Sequence, residues 1–202
     1  MRRTAAAVIL IISLFMAVPA IAGQFEDATK AYNSGDYETA YSLIKPLAEK
    51  GLPEAQFNLG LLYDKGQGVP QNYAEAMMWY RKAAEQGFAE AQYNLGMMYY
   101  KGQGVPQDYA EAMAWYYKGA AQGNAKGQYS LGMMYYRGRG VPKDYVLAHM
   151  WLNLATSRYP ALEKTKREWA EIFRDIAASK MTPAQLAEAK KLAKEWKPKQ
   201  EK

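Results

Sequence analysis

A 36-residue period in the middle of this 202-residue chain limits its possible folds more than any other feature. Residues 51–86, 87–122 and 123–158 are three copies of one unit. Sequences that repeat at a fixed spacing of this length form solenoids, in which each unit packs against the next. The chain is therefore predicted to be a short stack of similar units with atypical segments at both ends.

Each copy carries the same residue types at the same positions. A Leu-Gly pair, a tyrosine three residues later, a Gly-x-Gly-Val-Pro segment and a tryptophan recur in register. Glycine and proline in that segment stop a helix, so the predicted order is helix, turn, helix. The recurring structural residues are Leu59, Gly60, Tyr63 and Trp79, then Leu95, Gly96, Tyr99 and Trp115, then Leu131, Gly132, Tyr135 and Trp151.

Local signals place the helix ends within a copy. In copy one, apolar residues at helical spacing predict the first helix over 53–65. Gly60 lacks a side chain and should let the second helix approach closely. Asp108 is expected to cap a second helix, and Gly87 and Gly123 should end second helices in the left-handed conformation.

The segments on either side of the three copies are predicted to cap the stack. Residues 23–50 match a repeat that has lost five turn residues and serve as the N-terminal cap. After the third copy the period stops, and residues 159–196 are predicted to form two capping helices opened by Pro160 and Pro183. Residues 197–202 are expected to be a disordered tail.

The chain begins like an exported protein. Basic Arg2 and Arg3 precede an apolar stretch that ends at Pro19 and the small residue Ala22. This order is typical of a secretory signal peptide, so residues 1–22 are expected to be removed. An uncleaved membrane anchor is the alternative, because the stretch lies at the lower limit for spanning a bilayer. After cleavage, the chain would be periplasmic or secreted and would not span a membrane.

The repeated pattern resembles the Sel-one-like repeat (SLR) family, a relative of the tetratricopeptide repeats. The Leu-Gly-x2-Tyr segment, the Gly-x-Gly-Val turn and the tryptophan carry the resemblance, which covers residues 51–157 closely and 24–50 loosely. It implies an all-α fold, a right-handed α-solenoid of antiparallel helix pairs. It also implies a non-enzymatic role in protein–protein assembly, often in the bacterial envelope, although a fold alone does not identify a partner.

A stripe of apolar and aromatic residues on the first helices is the predicted binding face. In the superhelix that the resemblance implies, these helices line the concave side. Tyrosine, methionine and arginine are concentrated at protein interfaces, and the stripe is rich in them. The alternative is that the stripe packs between neighbouring repeats. The predicted partner-binding residues are Phe57, Leu61, Tyr93, Met97, Tyr100, Tyr129, Met133, Tyr136 and Arg137.

Catalytic and metal chemistry find little support in the sequence. The chain has no cysteine and a single histidine, His149, so thiolate chemistry and a histidine-pair zinc site are excluded. No catalytic residue, cofactor or metal site is predicted, and the protein is expected not to be an enzyme. A soft Cu(I) site, formed by the pairs Met97 with Met98 and Met133 with Met134 together with His149, is the one metal alternative.

Charge separates two classes of partner. Without residues 1–22 the chain has 24 basic and 20 acidic residues, and residues 158–202 hold 12 of the basic and 7 of the acidic ones. Export argues against nucleic acid, so another protein or peptide is the predicted partner. The alternative is peptidoglycan or an anionic envelope surface, bound through the basic C-terminal helices at Lys190, Lys191 and Lys194.

Overall fold

The computed structural model describes residues 23–198. The predicted signal peptide, residues 1–22, and the last four residues of the predicted tail lie outside this range. Within it all regular secondary structure is helical, and there is no strand. The contacts divide the chain into unit 1, which ends at Lys82, and unit 2, which begins at Ala83.

The helices follow one another with short connections. Helix α1 covers residues 23–34 of the described range. The helices that follow are α2 (Tyr37–Glu49), α3 (Pro53–Lys65), α4 (Tyr73–Glu85), α5 (Ala89–Lys101), α6 (Tyr109–Ala121), α7 (Ala125–Arg137), α8 (Tyr145–Arg158), a 3-10 turn (Ala161–Glu163), α9 (Lys164–Ala178) and α10 (Pro183–Glu195).

Unit 1 has a small apolar core and one close backbone contact. Ile44 and Leu47 of α2 pack with Leu59 of α3 and Trp79 of α4. A methyl group added at Gly68 would lie 2.2 Å from the carbonyl oxygen of Tyr37, and the φ angle of Gly68 is +70°. Only glycine fits this position without strain, because other residues rarely adopt this angle and have a Cβ.

The second helices of the repeats approach the first ones across glycines, as predicted. A Cβ at Gly60 would lie 2.7 Å from the ring of Tyr80, and one at Gly96 would lie 2.7 Å from the ring of Tyr116. In the third repeat the residue facing the glycine is Leu152 instead of a tyrosine.

The predicted helix ends in unit 2 are also confirmed. The Asp108 carboxylate accepts hydrogen bonds from the backbone amides of Ala110 and Glu111, at 2.8 and 3.0 Å. Gly87 and Gly123 have φ angles of +86° and +97°, in the left-handed region that favours glycine.

The C-terminal helices pack on the last repeat, and both contact α8. Thr182 and Gln185 form a capping box with Pro183 in the first turn of α10. The start of α9 differs from the prediction. Pro160 has an extended ψ of 152° and its carbonyl accepts from the Glu163 amide, so a 3-10 turn comes first. In residues 23–198, no helix combines the length and the apolar character needed to cross a membrane.

Candidate functional site

Five of the predicted partner-binding residues in unit 2 line one pocket. This α5–α7 pocket has a volume of about 170 Å³. Residues from α5, α6 and α7 form it, so it lies on the face of the two first helices of the second and third repeats. Its lining residues are Met97, Tyr100, Lys101, Tyr116, Tyr129, Ser130, Met133, Met134 and Arg137.

Tyr116 of α6 is the most enclosed aromatic residue of the pocket, and only 2% of it is exposed. Burial raises the pKa of Tyr116, and the neighbouring Tyr93 adds to the rise. The nearby Ser130 side chain has a smaller effect in the opposite direction. Tyr116 therefore stays a neutral phenol and cannot supply negative charge to the pocket.

Tyr100 forms one side of the pocket and contacts two other tyrosine rings and one arginine. Its ring centroid lies 5.3 Å from that of Tyr109 and 6.5 Å from that of Tyr116. Arg139 places its guanidinium 5.5 Å from the Tyr100 ring and donates a hydrogen bond to its hydroxyl. A cation–π contact at an exposed site of this kind contributes about 0.5–1 kcal/mol.

Tyr93 lies next to the pocket and contacts two of its lining residues. Its hydroxyl donates to the sulfur of Met97 at 3.3 Å, and its ring lies 5.8 Å from that of Tyr116. Burial raises the pKa of Tyr93, with a smaller contribution from the Glu163 carboxylate. The structure thus places Tyr93 beside the pocket and Met97 in its lining.

Met133 and Tyr136 are less accessible than the sequence pattern indicated. Met133 lines the pocket but is only 6% exposed. The Tyr136 ring packs 5.6 Å from Phe173 of α9 and 5.8 Å from Tyr145 of α8. Met97 and Tyr129 thus line the pocket, whereas Tyr136 packs against α9, which lies outside the repeats, and against α8 of its own repeat.

The predicted residues of unit 1 have a different setting. Phe57 packs 5.7 Å from Tyr80, and Leu61 is half-buried. A smaller pocket of about 60 Å³ in this unit is lined by Asn58 and Leu62 together with residues of α1 and α2. Phe57 and Leu61 are not among its lining residues.

A column of buried glutamines supports the first helices and was missed by the sequence analysis. Gln56, Gln92 and Gln128 recur at the repeat spacing, and each is at most 5% exposed. Each side-chain amide donates to a carbonyl near the end of the preceding helix: Ala48 at 3.3 Å, Ala84 at 3.1 Å and Ala120 at 3.1 Å. The signal available in the sequence was their repetition in register beside a core position.

The lysines proposed to bind the envelope surface lie away from the pocket, whereas the residues proposed for a Cu(I) site are divided between the pocket and α8. Lys190, Lys191 and Lys194 are exposed on α10. His149 is buried on α8, with Arg174 of α9 and Lys190 of α10 near enough to affect its charge. Of the residues proposed for Cu(I), Met97, Met133 and Met134 line the pocket, whereas His149 does not. Residues 23–198 contain no cluster of three or more His, Asp or Glu residues suited to a metal.

The Sel1 repeat family matches residues 53–88, 89–124 and 125–158, which together make up just over half of the chain. The chain therefore belongs to the Sel1 repeat family. This confirms the resemblance found in the sequence.

Two solved structures are similar to the chain. One is c5321, a protective antigen of uropathogenic Escherichia coli strains that displays an SLR fold. It is 34% identical with a TM-score of 0.77, and the match covers 87% of this chain and 37% of c5321. The other is a Sel1 repeat protein from Oxalobacter formigenes, 39% identical with a TM-score of 0.64, over 67% of this chain and 54% of that one. The predicted class, an all-α solenoid of helix pairs, is confirmed.

A curated relative shares a shorter segment. DAP3-binding cell death enhancer 1 of Rattus norvegicus is 36% identical over 72 residues, which are 36% of this chain and 14% of that protein. The matched part thus spans about a seventh of the relative's length.

Proposed function

We propose that the protein is a non-enzymatic scaffold that binds another protein or peptide through the α5–α7 pocket and the helix face around it. The observation that carries this proposal is that five residues of the predicted stripe line one pocket in unit 2. The pocket gives this part of the stripe space in which a group of a partner can be held.

The chemistry of the pocket supports a protein ligand. Tyr100 and Tyr129 provide large surfaces with a hydroxyl at one end, which is why tyrosine is common at interfaces. Met97, Met133 and Met134 are flexible and polarisable, so they can adapt to a bound side chain. The Sel1 repeat fold is a scaffold of paired helices, and the rat relative is named for binding a protein, DAP3. Both observations favour a protein partner.

We further propose that the protein acts outside the cytoplasm, in the periplasm or after secretion. The basic and apolar start of the chain and Ala22 support this location. Fractionation of cells, with mass spectrometry of the mature N-terminus, tests the proposal. A mature chain that begins at Gly23 outside the cytoplasm is expected, and an intact chain in the cytoplasm would contradict it.

A second candidate is binding to peptidoglycan or an anionic envelope surface. Lys190, Lys191 and Lys194 are exposed on α10, and this observation favours the candidate. Such binding depends on charge and should weaken as salt increases, whereas binding in the apolar pocket should change less.

Crosslinking in the cells that produce the protein tests the first candidate. A benzophenone amino acid at Tyr100 would report on the pocket. The same residue at Tyr117, 46% exposed on α6, and at Lys190 on α10 provides matched positions outside the pocket. A protein adduct at Tyr100 and none at Tyr117 is the expected result. Adducts to envelope polymer at Lys190, with none at Tyr100, would overturn the proposal in favour of the second candidate.

A further inference from the structure

The α5–α7 pocket has the size of a single amino-acid side chain. Its volume is about 170 Å³. An apolar cavity of about 150 Å³ in a well-studied protein holds one benzene molecule, so this pocket has room for a ring or a branched apolar group. A long alkyl chain would extend beyond a pocket of this volume.

The charged residues of the pocket are all basic. Lys101 in the last turn of α5 and Arg137 in the last turn of α7 line it, and both are exposed. Within residues 23–198 neither cation forms an ion pair with a carboxylate. No acidic residue is among the nine lining residues. Arg139 adds a third positive charge through its contact with Tyr100.

Cations in the last turn also offset the helix dipole, which accounts for a basic residue at the end of each of these helices. Lys101 and Arg137 occupy equivalent positions of adjacent repeats, so stacking of the repeats brings both cations to the same apolar pocket. A carboxylate bound between Lys101 and Arg137 would satisfy both, and Arg137 can hold it with two parallel hydrogen bonds. A basic group at the same place would be repelled.

We infer that the pocket binds a partner segment in which a Phe- or Leu-sized side chain stands beside a carboxylate. The apolar side chain enters between Met97, Met133 and Tyr129, and the carboxylate contacts Lys101 and Arg137. The carboxylate belongs to an Asp or Glu adjacent to that side chain in the partner segment. This inference rests on the proposed function and specifies the chemistry of the partner.

The probe for this inference is 3-phenylpropionate, which carries a phenyl ring and a carboxylate in one small molecule. Its amide and 3-phenylpropylamine have the same ring with a neutral and a positive end. Binding is followed by NMR of protein with 13C-labelled methionine methyl groups, assigned by single Met→Leu substitutions. Met97, Met133 and Met134 report on the pocket. Met78 on α4 and Met181 before α10 are references outside it.

The acid is expected to shift the three pocket methyl signals, with a Kd in the millimolar range that is common for so small a ligand. At low salt it should bind about fivefold more tightly than the amide, because two exposed cations each contribute a modest electrostatic term. The amine should bind more weakly than the amide. In Lys101→Gln/Arg137→Gln protein, the acid should lose most of its advantage over the amide, because Arg139 is then the cation that remains beside the pocket.

The charge-matched control is Lys191→Gln/Lys194→Gln on α10, which should keep the preference for the acid. Equal binding of acid and amide to the unmodified protein would overturn the inference and leave the proposed function intact. The same conclusion would follow if the preference survived undiminished in Lys101→Gln/Arg137→Gln protein. If none of the three probes shifted the pocket methyl signals, both the inference and the proposed pocket would be wrong.

Discussion

The second and third repeats have the same pair of helices, but the hydrogen bonds of their buried glutamines differ. Gln92 of α5 donates to Ala84 and accepts a hydrogen bond from Gln122 at 2.9 Å. Gln128 of α7 makes the same donation to Ala120, but its side-chain oxygen is buried without a hydrogen-bond partner in the described part of the chain. Buried polar atoms normally have a partner, so this difference needs an explanation.

The residue at the position of Gln122 one repeat later explains why the side-chain oxygen of Gln128 has no hydrogen-bond partner among the described residues. That residue is Arg158, whose guanidinium lies 4.4 Å from the centre of the Trp196 ring. Trp151 of α8 also packs against Trp196, at 6.2 Å. The third repeat thus lacks the hydrogen bond that Gln122 donates to Gln92 in the second repeat. It has contacts with Trp196 of the C-terminal segment instead. We conclude that a terminal repeat is adapted to the helices that cover it.

The largest expected effect concerns the glycine of the first helix, Gly96 or Gly132, which lies close to the second helix in both repeats. Gly96→Ala would place a methyl group 2.7 Å from the buried Tyr116 ring and 3.0 Å from the Ala112 carbonyl. Overpacking of this kind costs about 2–3 kcal/mol of unfolding free energy. Gly132→Ala faces the flexible Leu152 side chain and should cost about 1–2 kcal/mol. Urea unfolding measures both, and an unchanged stability in Gly96→Ala would contradict the close packing.

The glutamine comparison predicts unequal effects of the same substitution. Gln92→Leu removes two hydrogen bonds and leaves the Gln122 amide without one of its acceptors. A loss of about 2 kcal/mol in unfolding free energy is expected. Gln128→Leu removes one hydrogen bond together with an unsatisfied oxygen, so its cost should stay below about 1 kcal/mol. Equal costs in urea unfolding would show that the two glutamines are equivalent.

His149 is expected to make the stability of the third repeat depend on pH, whereas the second repeat has Met113 at this position. Burial lowers the pKa of His149, and Arg174 and Lys190 lower it further, against a smaller opposite effect of Asp175. The native state therefore holds neutral imidazole while the unfolded chain takes up a proton as pH falls below about 6.5. Stability should decrease as pH falls from 7 to 5.5, by about 0.5–1 kcal/mol after allowance for solvent screening.

His149→Met should remove this part of the pH dependence and is the matched control, because it restores the residue type of the other repeats. The measurement is the unfolding free energy at pH 7 and 5.5 for both proteins. An identical pH dependence in the two would show that His149 is not the responsible group.

The smallest expected effect concerns the contact between Arg158 and Trp196. A cation–π pair that is partly exposed contributes about 0.5–1 kcal/mol. A double-mutant cycle with Arg158→Gln and Trp196→Ala should give a coupling energy of this size. In the Trp196→Ala background, Arg158→Gln should be neutral or stabilising, since glutamine can donate to Gln128 as Gln122 does to Gln92. A coupling energy of zero would remove the explanation offered for the third repeat.

The sequence predicted the repeat frame well, because each of its residues recurs at a fixed spacing. The close approach at Gly60 and the start of α10 at Thr182 and Pro183 follow from local rules that hold in any context. The glutamine column did not stand out, because a polar residue beside a core position usually faces solvent. Its burial depends on a carbonyl of the preceding helix.

The pocket could be predicted only in part. The pattern identified the face of α5 and α7 but not its depth, which depends on Tyr116 of the facing helix. The packing of Tyr136 against Phe173 could not be predicted from the sequence either. Helix α9 lies outside the repeats, so the 36-residue period does not indicate its position.

The central claim is that a partner enters the α5–α7 pocket, and a substitution that fills the pocket tests it most directly. Ser130 lines the pocket, and the other repeats have asparagine at this position, Asn58 and Asn94. The measurement is the yield of the partner adduct from the photo-reactive residue at Tyr100, compared between Ser130→Phe and Ser130→Asn proteins of equal thermal stability. We predict that Ser130→Phe abolishes the adduct and that Ser130→Asn retains it. An undiminished adduct in Ser130→Phe protein would contradict the account.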